Sequence, residues 1–360
     1  MANILMPKGH MVLDGRSASG VTGAVLGAAG QNPAVREREL TVGRGPIGDI
    51  AVGNAGALMT NPGDDTVSIL DPGTLSFATH LVAGEPVAAV ASEDRAFVAT
   101  TSEDEDRMSV IALATGTVTA TFPLTGVATA LAVSPDGQRV YAGQDDEGRV
   151  AVAVIDTVAE RVSTIELGSG PGAGIDALRV DPTGKRLVAA VTDERGSQLI
   201  IVDAETARVR RVVPVGSPIR DIAHVGSAVY VLTSDRAVGG AVQVIDLSTY
   251  TVTDTVTLGG APTQLAMSPD LARAYIVDFD RVTVLCTLRL EIVESLTLGG
   301  RPSCVALAAD GSRLYAADYA GGVSVFAVSS TIEELYTQFV ATDPIIVRAP
   351  RARELQPAPA

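Results

Sequence analysis

Carboxylate and guanidinium side chains recur beside short apolar strands of this chain and are the groups best suited to chemistry. The strands recur about every forty residues, and aligning their starts places Asp49, Ala89, Ala130, Asp176, Asp221, Gln264 and Cys304 at one position. Such carboxylates can hold a cation or a polar ligand, and arginines on adjacent loops can grip an anion. Equally, each aspartate could pair with a neighbouring arginine or cap backbone N–H groups. The sequence therefore predicts either a structural role or a ligand site formed by Asp49, Asp176, Asp221, Arg44, Arg220, His224 and Arg301.

A second group of acidic residues lies between the second and third strand of each repeat. Its densest part is Glu103, Asp104, Glu105, Asp145, Asp146, Glu147, Asp193 and Glu194, and Asp278 and Asp318 extend it. We expect these carboxylates on one face of the molecule. Three interpretations are open: solvated loops that aid solubility, a field that steers a basic partner, or calcium binding at residues 145–147. No loop has the ligand spacing of an EF-hand.

Groups for catalysis or metal binding are scarce. Of the three histidines, His10 and His80 fall outside the inner strands, which leaves only His224 near a central site. No CxxC or HxxxH spacing occurs, and zinc sites need three or four such ligands. The glycine-rich stretch Gly168–Gly174 leads into a strand, so no helix N-terminus follows it to receive a dinucleotide phosphate. The sequence predicts no catalytic residue, no metal site and no cofactor.

Seven repeats of roughly forty residues must position these side chains. Each contains four short strands separated by turn residues, and in four repeats the third strand ends in aspartate: Asp71, Asp156, Asp203 and Asp246. Each of these aspartates begins the turn into the next strand, where its carboxylate can accept backbone N–H bonds. We therefore expect these four carboxylates to be structural.

The second strand carries a resemblance to a known family. The segments that begin at Tyr141, Tyr230, Tyr275 and Tyr315 follow turns such as Ser134-Pro-Asp-Gly137, and together they resemble the YVTN repeat of surface-layer and lactonase-like proteins. The resemblance implies an all-β fold, a seven-bladed β-propeller of four-stranded antiparallel blades. It implies little about the ligand.

The two ends of the chain compete to close the ring of blades. Residues 35–42 look like the fourth strand of a repeat without its first three, whereas residues 331–341 have the apolar spacing of a short amphipathic helix. We therefore assign ring closure to the N-terminal strand, which removes exposed sheet edges. The predicted organisation is an N-terminal tail at 1–33, the propeller at 34–330, a C-terminal helix at 331–341 and a Pro/Arg-containing tail at 342–360.

Composition limits the partners. The formal net charge is −15, which argues against nucleic acid because phosphates need a basic face. No apolar run reaches the roughly 18 residues of a membrane span. The default location is the cytoplasm, with export to the cell envelope left open, and we expect a monomer.

The leading hypothesis is a non-catalytic interaction or scaffold propeller that binds a protein or cell-envelope partner, with a basic partner as one option, through the acidic loops on its top face. The alternative is a lactonase-like hydrolase with its site at the mouth of the central channel, where His224 or an aspartate would act as base and Arg220 or Arg301 would hold an anionic substrate. That alternative depends on analogy of fold.

Overall fold

The structure, a computed structural model that describes residues 34–329, places these repeats in seven four-stranded antiparallel sheets. Each sheet is one blade, and the described residues add only a short 3-10 turn at Pro62–Asp64. Strands follow one another within a blade from the central first strand to the outer fourth strand. The predicted seven-bladed, four-stranded architecture is confirmed.

The first three blades follow the repeats directly. Blade 1 contains β2 (Ile50–Gly53), β3 (Gly56–Asn61), β4 (Thr66–Asp71) and β5 (Ser76–Leu81). Blade 2 contains β6 (Glu85–Ser92), β7 (Arg95–Thr101), β8 (Arg107–Ala112) and β9 (Val118–Pro123). Blade 3 contains β10 (Ala128–Val133), β11 (Arg139–Asp146), β12 (Arg149–Asp156) and β13 (Arg161–Ser169).

The next three blades continue the order. Blade 4 contains β14 (Gly174–Val180), β15 (Arg186–Asp193), β16 (Gly196–Asp203) and β17 (Arg208–Pro214). Blade 5 contains β18 (Ile219–Val225), β19 (Ala228–Asp235), β20 (Gly239–Asp246) and β21 (Thr251–Gly259). Blade 6 contains β22 (Gln264–Met267), β23 (Arg273–Val277), β24 (Val282–Cys286) and β25 (Glu291–Leu296).

Blade 7 is assembled from both ends of the propeller. It contains β26 (Pro302–Leu307), β27 (Arg313–Asp318) and β28 (Gly322–Val328), and its fourth strand is β1 (Ala34–Thr41). The strands β1 and β28 pair antiparallel from Ala34 opposite Val328 to Thr41 opposite Gly322. Closure by the N-terminal strand is therefore confirmed. The predicted helix at 331–341 and both predicted tails lie outside the described residues.

The core lies between neighbouring blades. Tyr141 in the second strand of blade 3 is fully buried and packs in one cluster with Ile175 and Leu178 from the first strand of blade 4. The repeated large residue of the second strand thus fills the space against the next blade, so each blade depends on its neighbours for burial.

The four aspartates that end third strands behave as expected. The carboxylates of Asp71, Asp156, Asp203 and Asp246 each accept N–H bonds from backbone two and three residues ahead. The Arg210 side chain and the Thr206 N–H hold the pKa of Asp203 below its usual range. These carboxylates stabilise the turns, which confirms the structural interpretation.

Candidate functional site: the central channel and the top face

The first strands of all seven blades line a central channel of about 660 Å³. Five of the predicted site residues lie in its wall: Asp49, Asp176, Asp221, Arg220 and His224. The other two, Arg44 and Arg301, stand on loops outside it. The cavity falls in the range of small-molecule sites.

The register of the first strands corrects our alignment in two blades. In blade 5, Asp221 pairs with Leu232, the second residue after Tyr230. In blade 4 the residue that pairs two positions after the equivalent Val188 is Ala177 and not Asp176. In blade 2 the corresponding place is taken by Ala88 and not by Ala89. A β-bulge near the start of these strands inserts one residue that counting along the sequence does not reveal. Asp176 therefore occupies the bulge position of blade 4.

The bulge residues of five blades and the equivalent residues of blades 1 and 6 form one ring at the channel wall. Its members are Gly48, Val87, Thr129, Asp176, Arg220, Thr263 and Ser303. The next ring is Asp49, Ala88, Ala130, Ala177, Asp221, Gln264 and Cys304. Two of the three predicted carboxylates thus share a level, and the third lies with Arg220.

Asp49 and Asp221 hold neighbouring first strands together. Asp49 accepts N–H bonds from Ile50 (2.9 Å) and, across the blade boundary, from Ala89 (3.0 Å). Asp221 accepts equivalent bonds from Ile222 (2.8 Å) and Leu265 (2.9 Å). Backbone donors on the inner strand would otherwise face the channel without a protein partner. The structural role that we left open is present at both positions.

Gln264 performs the same task with an amide. Its Oε1 accepts the N–H of Val305 in the next blade at 2.7 Å. A neutral amide oxygen is therefore sufficient for the bond across the blade boundary, whereas the carboxylates of Asp49 and Asp221 use their second oxygen to accept the N–H of the following residue.

Arg179 is a channel residue that sequence reasoning missed. Its Nη2 donates to Asp221 Oδ1 at 2.7 Å from the neighbouring blade. Five other blades have alanine at this level and one has Val90: Ala51, Ala132, Ala223, Ala266 and Ala306. An arginine within that alanine series was the signal available in the sequence.

Burial changes the proton affinity of the channel groups. Burial raises the pKa of Asp49 to about 6, against the opposing effect of the N–H donors of Ala89 and Ile50. Burial also raises the pKa of Asp221, an effect opposed chiefly by Arg179. Asp176 is exposed to the channel, where partial desolvation raises its pKa against the opposing effects of the Thr192 hydroxyl and Arg220.

His224 lacks the partners that catalysis requires. Burial lowers its pKa, and within residues 34–329 neither ring nitrogen has a hydrogen-bond partner. A general base is normally oriented by one group and placed against a nucleophile by another. Over the same residues, no three His, Cys, Asp or Glu side chains are close enough together to hold a metal ion.

Eight of the predicted acidic residues stand on loops, or at the strand ends that enter them, in three neighbouring blades. We call them the acidic loops: Glu103, Asp104 and Glu105 of blade 2, Asp145, Asp146 and Glu147 of blade 3, and Asp193 and Glu194 of blade 4. Asp193 is half-buried and the others are exposed. Equivalent connections in successive blades open to one face, which we call the top face. Of these eight residues, only Glu105 and Asp193 pair with a cation in the described chain, Arg107 and Arg195 respectively.

The acidic residues of blades 6 and 7 differ from this expectation. Asp278 is 6% exposed and accepts N–H bonds from Ala261 and Phe279. Asp318 is 8% exposed and accepts them from Ala320 and Gly322. Our expectation that both add to the surface charge of the top face is wrong, because nearby backbone donors draw them inward.

The predicted loop arginines also separate. Arg44 forms an ion pair with Asp64. Arg301 instead lies over two aromatic rings, 4.6 Å from the centroid of Phe279 and 5.3 Å from that of Tyr319. Of these two arginines, Arg301 alone has a guanidinium that forms no ion pair with a carboxylate of the described chain.

Comparisons with known proteins agree on the architecture. No family model matches the chain. No helix of the described residues is long and apolar enough to cross a membrane. A hydrazine synthase structure from Kuenenia stuttgartiensis superposes with a TM-score of 0.71 over 82% of this chain and 99% of its own, at 20% identity, which shows similarity of fold alone.

Two curated relatives are closer in sequence. The seven-bladed beta-propeller protein Rv1057 of Mycobacterium tuberculosis is 34% identical over 71% of this chain and 75% of its own. A seven-bladed beta-propeller protein of Mycolicibacterium smegmatis is 48% identical over 84% of this chain and 83% of its own. With matches of this extent and a structure of seven four-stranded blades, the chain belongs to this family of seven-bladed β-propeller proteins.

Proposed function

We propose that this protein is a non-catalytic interaction propeller of the YVTN type, which binds a basic protein or cell-envelope partner through the acidic loops. One observation carries the proposal: three neighbouring blades expose carboxylates on the same face, and most of these have no cationic partner within residues 34–329. Surface carboxylates that only stabilise loops would accept backbone bonds, as Asp278 and Asp318 do.

The loops are built to hold these charges in place. Ser102 Oγ donates to the carbonyl of Glu105 and accepts its N–H, which closes the loop of blade 2. In blade 3 the strands β11 and β12 remain paired as far as Asp146 opposite Arg149, so the turn at Glu147 projects on a rigid hairpin. A partner would therefore meet preformed charges and would not have to order the loops on binding.

Electrostatics favours a basic partner. Like charges on adjacent blades produce a field that raises the association rate of an oppositely charged surface, and screening at physiological salt limits each charge to about 8 Å. Binding should accordingly weaken as salt rises.

The test is affinity capture from a native extract with three proteins: the wild type, an acidic-loop variant and a charge-matched control. The acidic-loop variant replaces Glu103, Asp104, Glu105, Asp145, Asp146 and Glu147 by their amides. The control replaces six exposed carboxylates elsewhere by their amides: Glu93, Asp94, Glu160, Glu205, Asp254 and Glu291. Both carry the same change in net charge.

We expect a basic partner, identified by mass spectrometry, to be retained by the wild type and the control and lost by the acidic-loop variant. Its dissociation constant should rise with salt. Equal retention by all three proteins, or no stoichiometric partner for any of them, would contradict the proposal.

The lactonase-like alternative is supported only by the polar channel and by the raised pKa of Asp49. The isolation of His224 counts against it. Hydrolysis of sugar-phosphate lactones by the wild type, abolished in Arg220→Ala, would favour the enzyme over the interaction propeller.

A further inference from the structure

Phe279 and Tyr319 stand out on the top face of blades 6 and 7. They are 58% and 49% exposed, and they are the only aromatic side chains among the described residues with such exposure. Each directly follows a buried aspartate, Asp278 or Asp318, whose carboxylate is bonded to the backbone of the same loop. The two rings are therefore held outward by rigid turns.

The Arg301 guanidinium contacts both rings. Stacking on aromatic faces restricts the guanidinium plane, and its donor edge then remains directed away from the rings. Arg301 is exposed, and within residues 34–329 it forms no ion pair with a carboxylate. A preorganised, unpaired guanidinium is suited to a carboxylate or phosphate, which it can bind through two parallel bonds.

The repeat itself shows that the scaffold does not require this arginine. Pairing of the first and second strands makes Arg301 equivalent to Glu85 in blade 2 and to Pro218 in blade 5. In blade 6 the segment Gly259-Gly260-Ala261-Pro262 matches Gly299-Gly300-Arg301-Pro302, so Ala261 takes this position. Four different residue types in one structural position indicate that arginine is there for another reason.

A second guanidinium lies on the channel wall. Arg220 is exposed, occupies the bulge position of blade 5 and lines the channel together with Tyr319. The equivalent residues in blades 6 and 7 are Thr263 and Ser303, whose hydroxyls add short polar groups to the same wall. No carboxylate of the described chain lies within ion-pair distance of Arg220, although its charge reaches Asp176 and opposes the rise in the pKa of that group.

We propose that blades 5–7 form a binding site at the channel mouth for a small ligand with a phosphate or carboxylate group. Arg301, fixed between Phe279 and Tyr319, binds two oxygens of the anion, and Arg220 contributes the second positive charge. The net charge of the chain does not prevent this, because the acidic loops belong to blades 2–4 and screening confines their field to about 8 Å. The site is separate from the acidic loops, so it does not depend on the proposed function.

Isothermal titration calorimetry at constant ionic strength tests the proposal, with inorganic phosphate as one probe and acetate as the other. The variants are Arg301→Ala, which introduces the residue of blade 6, and Arg220→Thr, which does the same at the bulge. Arg208→Ala is the control, because Arg208 is exposed on β17, the outer fourth strand of blade 4, and does not line the channel. Thermal melts establish that each variant is folded.

We expect saturable binding of at least one anion, which also distinguishes a phosphate from a carboxylate ligand. Arg301→Ala and Arg220→Thr should each weaken it at least tenfold, and Arg208→Ala should leave it unchanged. Arg301→Lys, which keeps the charge without the planar fork, should weaken it severalfold. The proposal fails if neither anion binds saturably, if Arg208→Ala weakens binding as much as Arg301→Ala, or if Arg301→Lys binds like the wild type.

Discussion

The top-face loops of blades 3 and 4 and those of blades 6 and 7 occupy equivalent places in the repeat but use their acidic residues differently. In blades 3 and 4 the second and third strands each have eight residues, and residues such as Asp146 and Glu194 lie exposed at the hairpin ends. In blades 6 and 7 the strands are shorter, and Asp278 and Asp318 are buried. The longer hairpins therefore expose their carboxylates to solvent.

Close approach of the neighbouring loop backbone explains why Asp278 and Asp318 are buried. A Cβ on Gly260 would lie 2.3 Å from the Asp278 carboxylate, and one on Gly300 would lie 2.6 Å from that of Asp318. Only glycine allows the incoming loop to approach so closely. The same residue type therefore forms a charged surface in one region and an internal hydrogen-bond acceptor in the other, according to whether backbone donors are within reach.

The largest loss of stability should follow from removing the strand that completes blade 7. A chain that begins at Gly43 lacks β1 and the bond from the Val42 N–H to the Gly321 carbonyl, so β28 becomes an unpaired edge and the loop with Tyr319 loses its support. We expect loss of cooperative melting, or aggregation, in calorimetry and size-exclusion chromatography. A chain that begins at Pro33 keeps β1 and is the control. A monomeric, cooperative melt of the shorter chain would refute this account of closure.

The pH dependence of stability separates buried from exposed carboxylates. Burial raises the pKa of Asp49 to about 6 in the folded protein, above the value of about 3.9 in an unfolded chain. The unfolded state then releases its proton first, so this carboxyl lowers the free energy of unfolding as pH rises from about 4 to about 6, by at most about 3 kcal/mol.

Asp49→Asn should flatten that decline in urea unfolding series, because the amide oxygen can still accept the Ala89 N–H but does not titrate. Asp145→Asn, at an exposed hairpin end, should leave the slope unchanged. The same slope in Asp49→Asn and the wild type would exclude Asp49 as its source.

Asp318→Ala compares the two loop types directly. It removes the acceptor of the Ala320 and Gly322 N–H bonds, each 2.8 Å long. We expect a loss of about 2 kcal/mol in the free energy of unfolding, since donors in a buried loop lose their partner. Asp145→Ala should change it by less than about 0.5 kcal/mol. Chemical denaturation measures both, and equal losses would remove the distinction between the loops.

The smallest change in stability should come from neutralising carboxylates of the acidic loops. Replacing Asp145, Asp146 and Glu147 by their amides should change the free energy of unfolding by less than about 0.5 kcal/mol, with a slight gain at low salt as repulsion is relieved. Thermal melts at two salt concentrations suffice. A clear loss of stability would mean that these carboxylates support the fold and would weaken their assignment as a binding surface.

Much of the fold could be predicted from the sequence because the same local patterns recur in seven repeats. The strand order, the turn aspartates and the closing strand all follow from local patterns that recur, and each is confirmed. The candidate site was less accessible. Asp176 was misaligned because a bulge inserts a residue without a sequence signature, and Arg179 was missed because its partner Asp221 lies on the next blade.

The sequence by itself determined the number of blades, the strands within them and the strand that closes the ring, since these depend on apolar periodicity and turn residues close together along the chain. Only the tertiary structure decided which polar side chains bond to other parts of the protein and which can still bind a ligand. Asp49 bonds to Ala89, Asp221 bonds to Arg179, and Arg301 lies between Phe279 and Tyr319. Each of these contacts joins residues on different blades or loops, and their distances are set by the packing of one blade against the next.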